Sequence, residues 1–157
     1  MILSAKDFKE QTSDVPATKS TSGKVTLTFV GVDVKVTYTR RIRTLIHAAN
    51  DCCPDCGAKF SHLELSKHYL GQKLGQTKRN KPKPFVKVVP YGIRKDGTKV
   101  EMNSDHIVPQ NRGGNHHTDN LQLMCVQCNS KKSNKLPSEI IMGKNWWKKL
   151  TLIKEEV

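Results

Sequence analysis

EMNSDHIVPQNRGGNHHTDNLQLMCVQCNSKK, residues 101–132, is the stretch from which the rest of the chain is read. Ile107 and Val108 can anchor one short strand, and Leu121, Leu123 and Met124 another, with a polar loop containing Gly113 and Gly114 between them. Antiparallel pairing of two such strands would bring Asp105, His106 and Asn120 near one another. The segment then reaches Cys125-Val126-Gln127-Cys128, after which a helix carrying Asn129, Lys131, Lys132 and Lys135 is expected.

Upstream, Cys53-Pro54-Asp55-Cys56 repeats the C-x-x-C spacing, and Gly57 and Asn129 follow the two pairs as residues suited to tight turns. Two such pairs supply the four thiolates of a tetrahedral zinc. A closed four-thiolate site leaves no position open for substrate, so zinc on Cys53, Cys56, Cys125 and Cys128 is expected to be architectural. Cys52 is left over. An odd, clustered set of five cysteines suits metal better than disulfides and agrees with a reducing, cytoplasmic setting.

Between the two knuckles, Phe85–Tyr91 and Thr98–Met102 flank Asp96-Gly97, a strong turn signal, and read as a hairpin leading into Asp105. Ser61 with Glu64 fits a capping box and Gly71 a helix stop, so a short helix is expected over 63–70. Residues 72–84 form a basic insertion with almost no apolar content. Nearer the N-terminus, Val25, Leu27 and Phe29 alternate in one parity and Val32, Val34, Val36 and Tyr38 in the other, predicting a hairpin that turns at Val30-Gly31. Ile42, Leu45, Ile46 and Ala49 fall at helical spacing, with Arg40, Arg41 and Arg43 largely off that face.

The expected organisation is therefore a poorly ordered lead-in (1–23), a hairpin-plus-helix appendage (24–50), a zinc-bound domain (51–137) and a C-terminal segment (138–157) that docks Trp146, Trp147, Leu150 and Leu152 on the core. The chain's 157 residues are short for two independent cores.

The 27 Lys and Arg against 14 Asp and Glu give a formal charge of +13, which makes nucleic acid the default partner. A membrane partner is not expected, because no basic amphipathic helix with a broad apolar face is apparent and the apolar runs are too short to span a bilayer. Met1–Gln11 lack the apolar core of an export signal.

The motifs DHIVP at 105–109, the Gly-rich loop, DNLQLMC at 119–125 and the following C-x-x-C-N resemble the HNH nuclease motif. That resemblance covers Cys53–Cys56 and roughly Glu101–Pro137. It implies an α+β fold: a small, zinc-stapled ββα-metal domain, treble-clef-like, carrying the N-terminal hairpin and helix in addition. The family's last histidine is replaced by Asn129, which is similar to the H-N-N subset found in some phage resolvases and in the HNH domain of RNA-guided nucleases. By resemblance, His106 is the general base and Asn120 holds its ring. Asp105 and Asn129 would hold a catalytic Mg²⁺ or Mn²⁺, for which an amide oxygen is a suitable hard ligand.

The activity so implied is metal-dependent hydrolysis of DNA phosphodiester bonds, with Lys131, Lys132, Lys135 and Arg112 contacting phosphates. Duplex DNA is the expected partner. One active site cuts one strand per engagement, so double-strand cleavage would imply a homodimer or two successive nicks. The implied setting is the cytoplasm of a bacterial or phage-infected cell, since small HNH chains of this kind come from phages or mobile elements. His116 and His117 read as solvent-exposed loop histidines. The rival reading is a non-catalytic zinc module that binds nucleic acid, which would have no reason to keep Asp105, His106, Asn120 and Asn129 together.

Overall fold

Pairing is antiparallel throughout the main sheet. The computed structural model describes residues 1–17, 23–69 and 84–139. Strand β1 (Ile2–Ser4) and helix α1 (Ala5–Gln11) come first, then β2 (Lys24–Phe29), β3 (Val32–Thr37) and helix α2 (Arg40–His47). The long strands β4 (Lys59–Tyr69) and β5 (Pro84–Ile93) follow, then β6 (Lys99–His106), β7 (Leu121–Cys125) and helix α3 (Val126–Lys132). The five-stranded sheet runs β1-β4-β5-β6-β7, while β2 and β3 pair separately. No helix among the described residues is long and apolar enough to cross a membrane.

The two predicted hairpins form. Val30 and Gly31 turn β2 into β3 with φ of 48° and 77°, the doubly left-handed geometry of a two-residue type I′ turn. Gly97 (φ 84°) closes the β5–β6 turn by donating its N–H to the Arg94 carbonyl, while the Asp96 side chain accepts from the Thr98 N–H. Thr39 caps α2 as N-cap, accepting from the Ile42 N–H, and the helix ends at His47, so Ala49 lies beyond it.

Three expectations are corrected. The helix expected over 63–70 is contradicted by 59–69, which is strand β4, paired with β5 from Lys59↔Ile93 to Tyr69↔Pro84. After an irregularity at Phe60/His62, the alternation of Leu63 and Leu65 with His62 and Glu64 suits a pleated strand, and pairing with a β-rich partner outweighs one local capping signal. Residues 1–17 are not a loose lead-in. Leu3 and Phe8 are buried, β1 adds to the edge of β4, and the Phe8 ring meets Phe60 edge-on at 5.9 Å. Nor is 24–50 an appendage. Leu27, Phe29, Ile42 and Leu45 share one core with Leu63, Met102, Leu123 and Met124, and Thr44 shares a buried 2.7 Å hydrogen bond with Ser104 of β6. The basic insertion, apart from Pro84, lies outside the described residues. So does the docking segment, except for a 3-10 turn at Pro137–Glu139.

Candidate active site and metal centre

The two knuckles meet because Asn50 behaves like a short piece of strand. Its side-chain amide donates to the carbonyls of Cys52 (2.7 Å) and Leu123 (2.8 Å), and its oxygen accepts from the Leu123 N–H (3.0 Å). That clamp holds the approach to Cys53 against β7, whose last residue is Cys125. The sulfurs of Cys53, Cys56, Cys125 and Cys128 all lie within 4.8 Å of one another, with Cys56 and Cys125 at 3.6 Å. Four sulfurs at about 2.3 Å from one zinc stand roughly 3.8 Å apart, so the cluster fits the metal that the spacing predicted.

The chemistry of the cluster fits as well. Burial pushes the Cys53 thiol up to about 11, partly offset by main-chain amides of Cys125, Cys56 and Asp55, and burial also raises Cys128. Such thiols give up their protons to a bound cation far more readily than to water. Arg94 donates to Cys125 Sγ at 3.8 Å and brings a positive charge to a site that would carry excess negative charge when metallated. Cys52 bridges to Lys59 and stands outside the cluster.

A second site opens beside the end of β6. Asp105 and His106 line a cleft of about 370 Å³ together with Arg40, Pro109, Gln110, Asn111, Ser133 and Asn134. Register places Asp105 opposite Gln122 and His106 opposite Leu121. Gln122 donates to Asp105 Oδ2 at 2.8 Å, and Lys132 Nζ reaches the same oxygen at 3.0 Å. Among the described residues Oδ1 accepts no hydrogen bond, and Asp105 is the one carboxylate lining the cleft.

Lys132 is a correction to the expected phosphate contacts: it is 0% exposed, and its ammonium also donates to the His106 carbonyl at 2.7 Å. A lysine in that position holds the Asp105–His106 step from beneath and cannot touch a phosphate outside. Lys131 and Lys135 are exposed as expected, and Arg112 is exposed with Glu139 3.5 Å away.

His106 is 9% exposed. Burial, and after it the positive charge of Arg40, lowers its pKa from the ordinary histidine value, which keeps the imidazole neutral at neutral pH. Its Nε2 stands 3.2 Å from His116 Nδ1, with the rings edge-on at 5.1 Å. The His116 ring also hydrogen-bonds Gln110, and its carbonyl accepts from Arg43 Nη2 at 2.9 Å. His116 thus meets the ring that Asn120 was expected to hold, and both His116 and His117 are exposed in the loop as expected.

Asn120 instead grips main chain. Its oxygen accepts from the Val108 N–H, and its amide donates to the carbonyls of Val108 (3.0 Å) and Asn115 (2.8 Å). Asn129 lies half-buried on α3, one turn before Ser133, and is not among the side chains lining the cleft.

Gly114 is the point of closest approach in that loop. A Cβ there would stand 1.8 Å from the Val108 carbonyl oxygen and 3.0 Å from Asn120 Nδ2. Gly114→Ala should therefore break the Asn120 clamp at a cost of roughly 1–3 kcal/mol or more, read as a lower urea midpoint, while the cysteine cluster, on other elements, keeps its zinc. An unchanged midpoint would mean that the loop has room the distances deny.

The motif, its placement on β6, β7 and α3 and the four-cysteine cluster agree with a family comparison. Residues 94–145 match the HNH endonuclease family. The matched segment holds the β5–β6 turn, the second knuckle and the cleft's lining apart from Arg40, which makes nuclease activity and a nucleic-acid substrate the broad reading of the chain. Cys53, Cys56, Arg40 and Arg43 lie outside it. No curated protein and no solved structure matches the chain. Gln122, Lys132, Arg40, Arg43 and His116 complete the surroundings of Asp105 and His106, and of these only Gln122 had a usable sequence signal: its place two residues after Asn120 sets it opposite Asp105 once the strands pair.

Proposed function

We propose that the protein is a metal-dependent endonuclease that hydrolyses DNA phosphodiester bonds in the cleft at Asp105 and His106. The observation that carries this reading is a buried imidazole, kept neutral by burial and a nearby arginine, next to a carboxylate with one oxygen unengaged, inside the HNH-matched segment. His106 Nε2 pairs with His116 Nδ1, His106 Nδ1 has no partner among the described residues, and the reading requires the tautomer that places the lone pair on Nδ1. That nitrogen is the base that takes a proton from water. The water oxygen bonds to phosphorus as the bond to the 3′ oxygen breaks, leaving 5′-phosphate and 3′-hydroxyl ends.

Asp105 would hold one Mg²⁺ or Mn²⁺, and Asn129, the second ligand that the resemblance implies, would have to reach the ion from α3 outside the cleft's lining. Bound there, the ion would supply charge stabilisation at the phosphate and the leaving oxygen. One carboxylate plus substrate oxygens is an ordinary donor set for Mg²⁺. Lys132 and Gln122 fix the other carboxylate oxygen, and Lys131 and Lys135 are available for flanking phosphates.

Supercoiled plasmid incubated with Mg²⁺, Mn²⁺ or EDTA tests the reading, with the activity followed through a sizing column alongside the protein. Nicked or linear product that needs the ion and co-elutes with the protein is the expected result. No product with any ion, on branched as well as plain duplex, would overturn it in favour of a non-catalytic zinc module.

A further inference from the structure

Helix α2 carries three arginines within four residues, and the structure gives each a different task. Arg41 is spent on Glu101 (2.9 Å) and on the Asn103 side chain (3.2 Å) of β6. Arg43 is buried and holds the His116 carbonyl. Arg40 is exposed, makes no ion pair or side-chain hydrogen bond among the described residues, and lines the cleft with Asp105 and His106. The only other charged side chain lining the cleft is Asp105, whose Oδ2 already has Lys132 at 3.0 Å.

We propose that Arg40, which lies outside the HNH-matched segment, is a phosphate-binding residue of the cleft and grips the phosphodiester undergoing attack or its immediate neighbour. The proposal rests on the endonuclease reading for its substrate. The physical case is charge and shape: a guanidinium presents paired donors that match two phosphate oxygens, and this one has no protein anion to satisfy it. Its neighbours anchor it. Arg41 ties α2 to β6, and Thr44 Oγ1 donates to the Arg40 carbonyl and meets Ser104 Oγ, so the rim that bears Arg40 is fastened to the strand that bears Asp105.

The test uses the full chain with Arg40→Gln, Arg40→Lys and, as a remote charge control, Lys6→Gln. Lys6 is on α1, which packs at the β1–β4 edge of the sheet, opposite the β6–β7 edge where the cleft lies. Binding of a fluorescent duplex is measured by anisotropy in EDTA across a salt series, and plasmid cutting is measured with Mg²⁺ or Mn²⁺.

Arg40→Gln should make the slope of log affinity against log salt shallower by about 0.9, weaken binding about five- to tenfold, and slow cutting, with an unchanged melting temperature because the side chain is exposed. Arg40→Lys should restore the slope but not the full cutting rate, since it keeps the charge and loses the fork. A slope unchanged in Arg40→Gln, or lowered equally in Lys6→Gln, overturns the proposal even if the wild type cuts. A wild type that binds duplex through Arg40 and cuts nothing overturns the endonuclease reading and leaves Arg40 a phosphate contact.

Discussion

Stripping the metal from the cysteine cluster should unfold the protein. Zinc bound by four thiolates contributes on the order of 10 kcal/mol or more of apparent folding free energy, which is comparable to the whole stability of an ordinary domain. Two features raise the dependence here. The cluster joins Cys53 to Cys128 across a long run of chain that includes the β4–β5–β6 meander, so the metal closes a large loop. The chain also carries +13, a self-repulsion that a compact state must overcome. Without an ion, the buried Cys53 and Cys128 thiols stay protonated and make only weak contacts with one another.

The expected result is release of one zinc per chain to a strong chelator, together with loss of the cooperative thermal transition. Zn²⁺ should restore that transition and Mg²⁺ should not, because thiolates select the softer ion. Cys128→Ser should behave like the chelated protein. A cooperative transition that survives complete zinc removal would show that the shared core of Phe8, Leu27, Leu63 and Met124 is sufficient by itself.

The parts of this architecture that local chemistry dictates were legible in the sequence. C-x-x-C twice, Asp96-Gly97 before β6, the parity switch at Val30-Gly31 and the apolar residues of DNLQLMC each specify geometry within a few residues, whereas Ile107 and Val108, expected to anchor a strand, lie just past the end of β6. Val30 illustrates the limit of that logic: a β-branched residue in the left-handed region costs roughly 1–2 kcal/mol, and the strand pattern on either side imposes it anyway.

What stayed hidden depends on long-range register. Lys131, Lys132 and Lys135 look alike as a basic run, yet only the rotation of α3 against β6 buries Lys132 and leaves the others outside. Arg40, Arg41 and Arg43 were equally indistinguishable, because which of them meets Glu101, His116 or the cleft follows from how α2 packs. Residues 1–17 contribute few apolar side chains, and their order comes from an edge pairing with β4 that nothing local announces. His116 is the exposed loop residue it reads as, but its contact with His106 was hidden because the Asn120 clamp and Arg43 bring the two together.

Replacing His106 with alanine should remove cutting while leaving binding in place. A positioned general base contributes about 10²–10⁴-fold to rate, so His106→Ala is expected to lower single-turnover cutting by that range at saturating protein. Duplex affinity in EDTA should stay within about twofold, because the phosphate contacts assigned to Arg40, Lys131 and Lys135 come from α2, α3 and the turn after it. Zinc content should also be unchanged, since the cysteine cluster and the Asn50 clamp do not touch His106.

Some stability should be lost. The ring is buried, and its removal frees His116 Nδ1, but the Lys132 bond to the residue 106 carbonyl is main chain and survives the substitution. That surviving bond makes the comparison clean: Asp105 keeps Lys132 and Gln122, so the proposed metal ligand is held as before and only the base is missing. A variant that cuts at the wild-type rate with the same ion requirement would exclude His106 as the base. A variant that loses affinity and rate in equal measure would assign His106 to substrate binding instead.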